Sequence, residues 1–175
     1  QMVIDPACSI VFEAEPIEAD AMTSKPRRPD MHLFDREILL RGLLQGAGLL
    51  AMLVGFHVLV RWAGHSDEVA RTTTFLSLVL SNLGLIYVNR QWSQPSWRRG
   101  IKSNRAFAWI SMAASLLLLL VLGAAPVREL FAFALPDMAL LMQCAFVAVL
   151  GIAWFECVKW ALSTWLWPRG AAAAQ

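Results

Sequence analysis

The stretch Ile38-Leu-Leu-Arg-Gly-Leu-Leu-Gln-Gly-Ala-Gly-Leu-Leu-Ala-Met-Leu-Val-Gly-Phe-His-Val-Leu-Val-Arg-Trp62 decides the fold class. Crossing the apolar interior of a bilayer takes about 20 predominantly apolar residues in a helix, and this run is longer. Its two arginines, Arg41 and Arg61, sit near the ends, where their long side chains can reach the interface. Asp35 ahead of the run suits an N-cap, and Glu37 suits a first helical turn. Gly42 and Gly46 form a GxxxG pair that Ala47, Ala51 and Gly55 continue, so this spacing predicts a neighbouring helix packed closely against that face. His57 has no second ligand nearby in sequence and reads as interfacial packing rather than as a metal ligand or proton relay.

Three further runs repeat the pattern, over residues 72–88, 106–124 and 138–162. The whole chain agrees, with 58% hydrophobic and only 16% charged residues against about a quarter charged in soluble domains. It is an all-α membrane protein with four transmembrane helices, expected as an antiparallel bundle. A net charge of +2 gives nucleic acid no electrostatic footprint. Cys8, Cys144 and Cys157 make no CxxC or His-paired spacing and read as small apolar fillers.

The connection Gly64 to Glu68 is short, which makes the first two spans antiparallel neighbours. In the second span Thr74, Ser77 and Ser81 share a helical face with Gly84 beside them, and Asn82 lies near the membrane centre. Asn82 is either interhelical hydrogen-bonding glue or part of an ion pathway. The loop from Arg90 to Arg105 carries five basic residues and no acidic one, which the positive-inside rule assigns to the cytoplasm. The third span has no ionisable residue and should face lipid. After it, Leu130 to Leu135 reads as a half-submerged turn or short interfacial helix. The fourth span ends among Trp160, Trp165, Trp167 and Arg169, with Glu156 and Lys159 three apart and expected to pair. Counting basic residues on the two sides places both termini in the cytoplasm, with residues 163–175 as a cytoplasmic tail.

Upstream of the four spans, Val3 to Pro16 sets Asp5 immediately before Pro6 in an apolar run. A proline there breaks a helix and frees backbone groups that need partners. Residues 1–12 therefore read as the end of a broken transmembrane helix, and residues 13–37, with Pro16, Pro26 and Pro29, as a cytoplasmic loop. The helix that should carry Asp5 has almost no residues before it, so a fragment of a longer protein is expected.

In this order and at these separations, several pieces resemble a known family: Val3-Ile-Asp-Pro-Ala-Cys-Ser-Ile-Val-Phe-Glu-Ala-Glu-Pro16, Met22 with Pro26-Arg-Arg-Pro29, Ala70-Arg-Thr-Thr-Thr-Phe75 leading to Asn89-Arg90, Asn104-Arg105, Arg128-Glu-Leu-Phe131, and Trp154-Phe-Glu-Cys-Val-Lys159. The chain resembles the C-terminal membrane region of P-type cation-transporting ATPases of the calcium-pump type, especially bacterial ones, over about residues 2–162. The resemblance implies that Val3 to Phe12 ends a sixth membrane helix and that the four spans are helices seven to ten. It implies that Asp5 ligates the transported cation, and hard cations do prefer such oxygen ligands. Asn82 falls near a position where some calcium pumps place an acidic ligand, and its neutrality makes it the weaker candidate. ATP and magnesium are implied for the parent protein. The chain itself shows no Asp-Lys-Thr-Gly phosphorylation motif and no candidate magnesium ligands, so it has no catalytic or cofactor-binding residue to name and cannot hydrolyse ATP alone.

The expected function is thus the transmembrane support domain of an ATP-driven cation pump in the cell membrane, a bacterial inner membrane. Its expected partners are the lipid bilayer, the transported cation, and the helices and cytoplasmic domains that precede it in the pump. The alternative is a self-standing four-span transporter or a regulatory membrane subunit without ATPase activity. A small transporter usually wants a carboxylate deep in the membrane, and the spans offer only Glu156, near an end.

Overall fold

A computed structural model describes Ile10, Glu13 and residues 36–89 and 105–162. Asp5, Asp35, the loop 13–37 apart from its two ends, and the tail 163–175 lie outside the described residues. The elements in chain order are α1 (Arg36–Trp62), α2 (Asp67–Asn89), α3 (Arg105–Gly123), the short α4 (Ala125–Leu130) and α5 (Met138–Ala161). All but α4 are long and apolar enough to cross a membrane. The described residues contain no strand.

The helix ends follow local chemistry. Past Trp62 the chain turns through Gly64 at φ 89°, with the Gly64 amide donating to the Arg61 carbonyl (3.1 Å) and the His65 amide to that of Val60 (3.4 Å). This pair of bonds is a Schellman stop, and it wants a residue without a Cβ. The α4 helix ends the same way, with bonds to Glu129 and Arg128 carbonyls, but there Ala132 takes the left-handed conformation at φ 49°. Ser66 then caps α2 by accepting from the Val69 amide at 3.3 Å, and Asp67 and Glu68 occupy the first turn. The second span therefore begins five residues before the apolar run that marks it. Asp137 caps α5, its Oδ1 accepting from the Leu140 amide at 2.7 Å. Arg128 closes α3 from outside by donating to the Leu122 carbonyl at 2.7 Å.

Three helices make the core. Gln45 meets Asn89 while His57 meets Thr74, so α1 and α2 are antiparallel. Thr73 meets Cys144 while Val88 meets Lys159, so α2 and α5 run parallel, as alternation of four spans requires. Leu49, Leu53, Phe56 and Val60 of α1, Leu76 and Val88 of α2, and Leu140, Cys144, Val147 and Phe155 of α5 fill the space between them. Inside a bilayer, lipid tails are as apolar as these side chains, so close van der Waals fit carries the association rather than removal from water.

That fit depends on notches. A Cβ at Gly48 would run into the Trp154 indole, one at Gly84 into Ile152, and one at Gly151 would press on Ser81 Oγ at 3.4 Å. The Gly48 notch also lets the Trp154 ring nitrogen reach the Leu44 carbonyl at 3.1 Å. The expectation placed on Gly42, Gly46 and Gly55 is corrected here: nothing among the described residues lies within 4 Å of where their Cβ atoms would be. The residues near Gly48 are on another face, and it is there that α5 approaches.

The α3 helix stands at the edge. Phe107 near its start packs on Ile86 and Tyr87 of α2, with the Tyr87 and Phe107 rings 5.8 Å apart, while Leu116, Leu117, Leu119 and Leu120 are exposed. This matches its reading as a lipid-facing span. The segment after α4 returns to the start of α2, where the Ala134 amide donates to Thr72 Oγ1 at 3.2 Å and Phe133 lies 5.3 Å from Phe75.

Candidate functional site

The polar side chains inside the bundle come mainly from α2. Thr73, Ser77, Ser81, Gly84 and Val88 recur at four-, four-, three- and four-residue intervals, the spacing of one helical face, and all five are buried. This stripe faces α5. Thr73 therefore heads the seam, and Thr74, which the sequence placed there, lies one position round the helix and meets α1. Small hydroxyl residues allow the two backbones to come close while supplying weak polar contacts.

The seam is packed chemistry rather than a cage. Thr73 Oγ1 is turned back on its own helix, donating to the Val69 and Ala70 carbonyls at 3.0 Å. The Cys144 thiol donates to the Thr73 carbonyl at 3.5 Å. Ser77 lies beside that thiol, and neither its hydroxyl nor that of Ser81 makes a well-directed hydrogen bond. Cys144, 1% exposed, is the buried filler its sequence context predicts, whereas Cys157 is exposed.

Asn82 sits one residue beyond Ser81, half buried in the middle of α2. Asp5, the other candidate ligand, lies outside the described residues. Among the described residues no group of three or more His, Cys, Asp or Glu side chains is placed to hold a metal ion.

At the end of the bundle where α2 and α5 finish, the polar residues are tied to backbone. Lys159, 7% exposed, donates its ammonium to the Val88 carbonyl at 3.2 Å, which caps the last turn of α2 from across the interface. Asn89 Nδ2 donates to Gln45 Oε1 at 3.4 Å, while Gln45 Nε2 is buried without a hydrogen-bond partner among the described residues. Arg41, which the sequence suggested could snorkel, is 6% exposed and inside the protein. Its position one turn before Gln45 on the face toward α2 and α5 accounts for that.

At the opposite end, His57 Nδ1 is 3.0 Å from Thr74 Oγ1, and that hydroxyl lies 2.7 Å from the Ala70 carbonyl. A threonine hydroxyl has one proton. With that proton given to Ala70, the hydroxyl oxygen is left to accept from an Nδ1–H imidazole, the tautomer assignment that satisfies both contacts. His57 is thus an interhelical contact, as its lone position in the sequence suggested. Sequence reasoning missed Trp154 and Gly48; the only available signal was an indole in a span, which needs an acceptor when buried in lipid.

The sequence model of one family, described as Cation transporting ATPase, C-terminus, matches residues 1–161. No curated protein matches the chain.

Proposed function

Since the chain belongs to the cation-transporting ATPase C-terminal family, we propose that it serves an ATP-driven P-type cation pump as the bundle that anchors and braces the ion pathway. On this reading Asp5 contributes a carboxylate ligand and Asn82 a carbonyl oxygen to the path. Residues 13–37 form the cytoplasmic connection toward the phosphorylated part of the pump. ATP and magnesium are used by that part, and the preceding helices and cytoplasmic domains are this chain's principal partners.

The observation that carries the reading is the family match across both the Asp5-Pro6 stretch and the four spans. The structure supports a bracing role through its filled core: the α2 seam is closed by α5 at Thr73, Ser77 and Ser81, so the ion path runs beside the bundle rather than through it. On this reading both ends of the four-span bundle lie in the cytoplasm, and the membrane is a bacterial inner membrane.

The test is cation-stimulated ATP hydrolysis by the assembled pump. Asp5→Asn removes a charge from a ligand while keeping its shape, and is expected to raise the half-saturating cation concentration about tenfold or more. Asn82→Leu is expected to raise it less. An Asp5→Asn pump with wild-type cation dependence would remove Asp5 from the site. Reporter fusions within residues 13–37 or after residue 162 that read extracytoplasmic would overturn the orientation.

A further inference from the structure

Between the last turns of α1 and the first turns of α5 lies a cavity of about 150 Å³, lined by Phe56, Leu59, Val60, Leu140, His65, Asp137 and Gln143 together with two alanines. At about 30 Å³ per water, it has room for some five waters or a two-carbon amine. Its floor is apolar, formed by buried Phe56, Val60 and Leu140. Its polar lining is rich in acceptors: the Asp137 carboxylate, the Gln143 amide and the His65 ring.

The depth of the cavity is set by the helices. Phe56 lies six residues before the end of α1 and Gln143 six after the capping Asp137, about 9 Å at 1.5 Å per residue. The cavity thus sits at the boundary between acyl chains and headgroups. It opens beside Leu59, which is 64% exposed, so its floor continues onto the lipid-facing surface.

We propose that this cavity binds a membrane lipid bearing a primary-amine headgroup, of the phosphatidylethanolamine class. The Asp137 Oδ1 atom is occupied by the Leu140 amide, and the second carboxylate oxygen, with Gln143 Oε1, accepts from the lipid ammonium. A primary ammonium brings three N–H donors, whereas a choline head brings none and is bulkier. Arg61, which follows the lining residue Val60, donates from Nη1 to the carbonyl of His65, another lining residue, and pairs through Nε with Asp67 at 2.7 Å. Its guanidinium offers a cation for the lipid phosphate. The glycerol and first acyl carbons lie along Leu59.

The experiment is native mass spectrometry of the full 175-residue chain, released from vesicles of equimolar phosphatidylethanolamine and phosphatidylcholine with matched acyl chains. The wild-type chain is expected to retain the ethanolamine lipid about tenfold over the choline lipid, the size of a charge-assisted hydrogen bond. Asp137→Asn keeps an oxygen for the Leu140 amide and loses the charge, and should bring the ratio to about one with unchanged helical circular dichroism. Gln143→Leu, at an exposed position outside the cap, should lower it about threefold. Equal retention of the two lipids by the wild type overturns the proposal. So does an unchanged ratio in Asp137→Asn, or in Gln143→Leu should the first variant not fold. Displacement of the lipid by millimolar free phosphoethanolamine would assign the site to a soluble amine and overturn it as a lipid site; a chain that leaves the membrane as a dimer with the cavity closed would assign it to a second copy.

Discussion

Helices α2 and α3 invert the rule learned from soluble proteins. Of the four candidate spans α2 is the least apolar, yet 44% of its membrane window is buried, whereas α3 is the most apolar and only 11% of its window is buried. In water the apolar helix would be the core. In lipid, exposure of leucine costs nothing, so the interior goes to the helix whose small and hydroxyl residues let its neighbours come close. The run Leu116 to Leu120 holds α3 in the membrane, and the Thr73–Ser77–Ser81–Gly84 stripe holds the bundle together.

The sharpest way to break this comparison is at the notches. Gly84→Leu drives a side chain into Ile152 and is expected to cost about 3 kcal/mol of bundle stability, measured by unfolding in mixed micelles. Gly48→Leu should cost a similar amount and also displace the Trp154 indole from the Leu44 carbonyl, visible as a shift in tryptophan emission. Gly46→Leu, with open space around it, serves as the control and should cost less than about 0.5 kcal/mol in this chain. A loss at Gly46 equal to that at Gly84 would mean that the helix faces are assigned wrongly.

Smaller effects sharpen it. Ala132→Gly relieves a left-handed residue and should raise stability by about 1 kcal/mol in the same assay. Thr74→Val removes the hydroxyl hydrogen-bonded to His57 and should lower stability by about 0.6 kcal/mol, the average for a hydrogen bond between membrane helices. Last comes Leu119→Ala on α3, where a lipid tail replaces the lost side chain; a change above about 0.5 kcal/mol would mean that α3 is not a lipid-facing span.

Much of this was legible in the sequence. The four spans follow from length and hydropathy alone, and the run without ionisable residues identified α3 as lipid-facing. The start of α2 was not, because Asp67 and Glu68 look like loop residues until Ser66 is seen to cap them. The packing glycine was not, because GxxxG spacing marks a face that can be approached without saying which face is; Gly48 is revealed only by the Trp154 ring lying over it. Thr73 and Thr74 are adjacent, and a difference of one residue turns a side chain about 100° round a helix. Asp5 stands out in the sequence by its proline and Asn82 by its depth; the role proposed for the two rests on the assembled pump, and these four helices alone do not display it.

The parallel pairing of α2 and α5 has an electrical side. Each helix carries the equivalent of about half a negative elementary charge at its C-terminus, and here two such ends lie together, with the N-termini of α1 and α3 at the same end of the bundle. In lipid little solvent is at hand to screen them. Lys159, buried with its ammonium on the Val88 carbonyl, stands between those two ends. It acts as the fixed counter-ion of the pair, which lets two helices of the same direction lie side by side in a medium that would otherwise favour their separation.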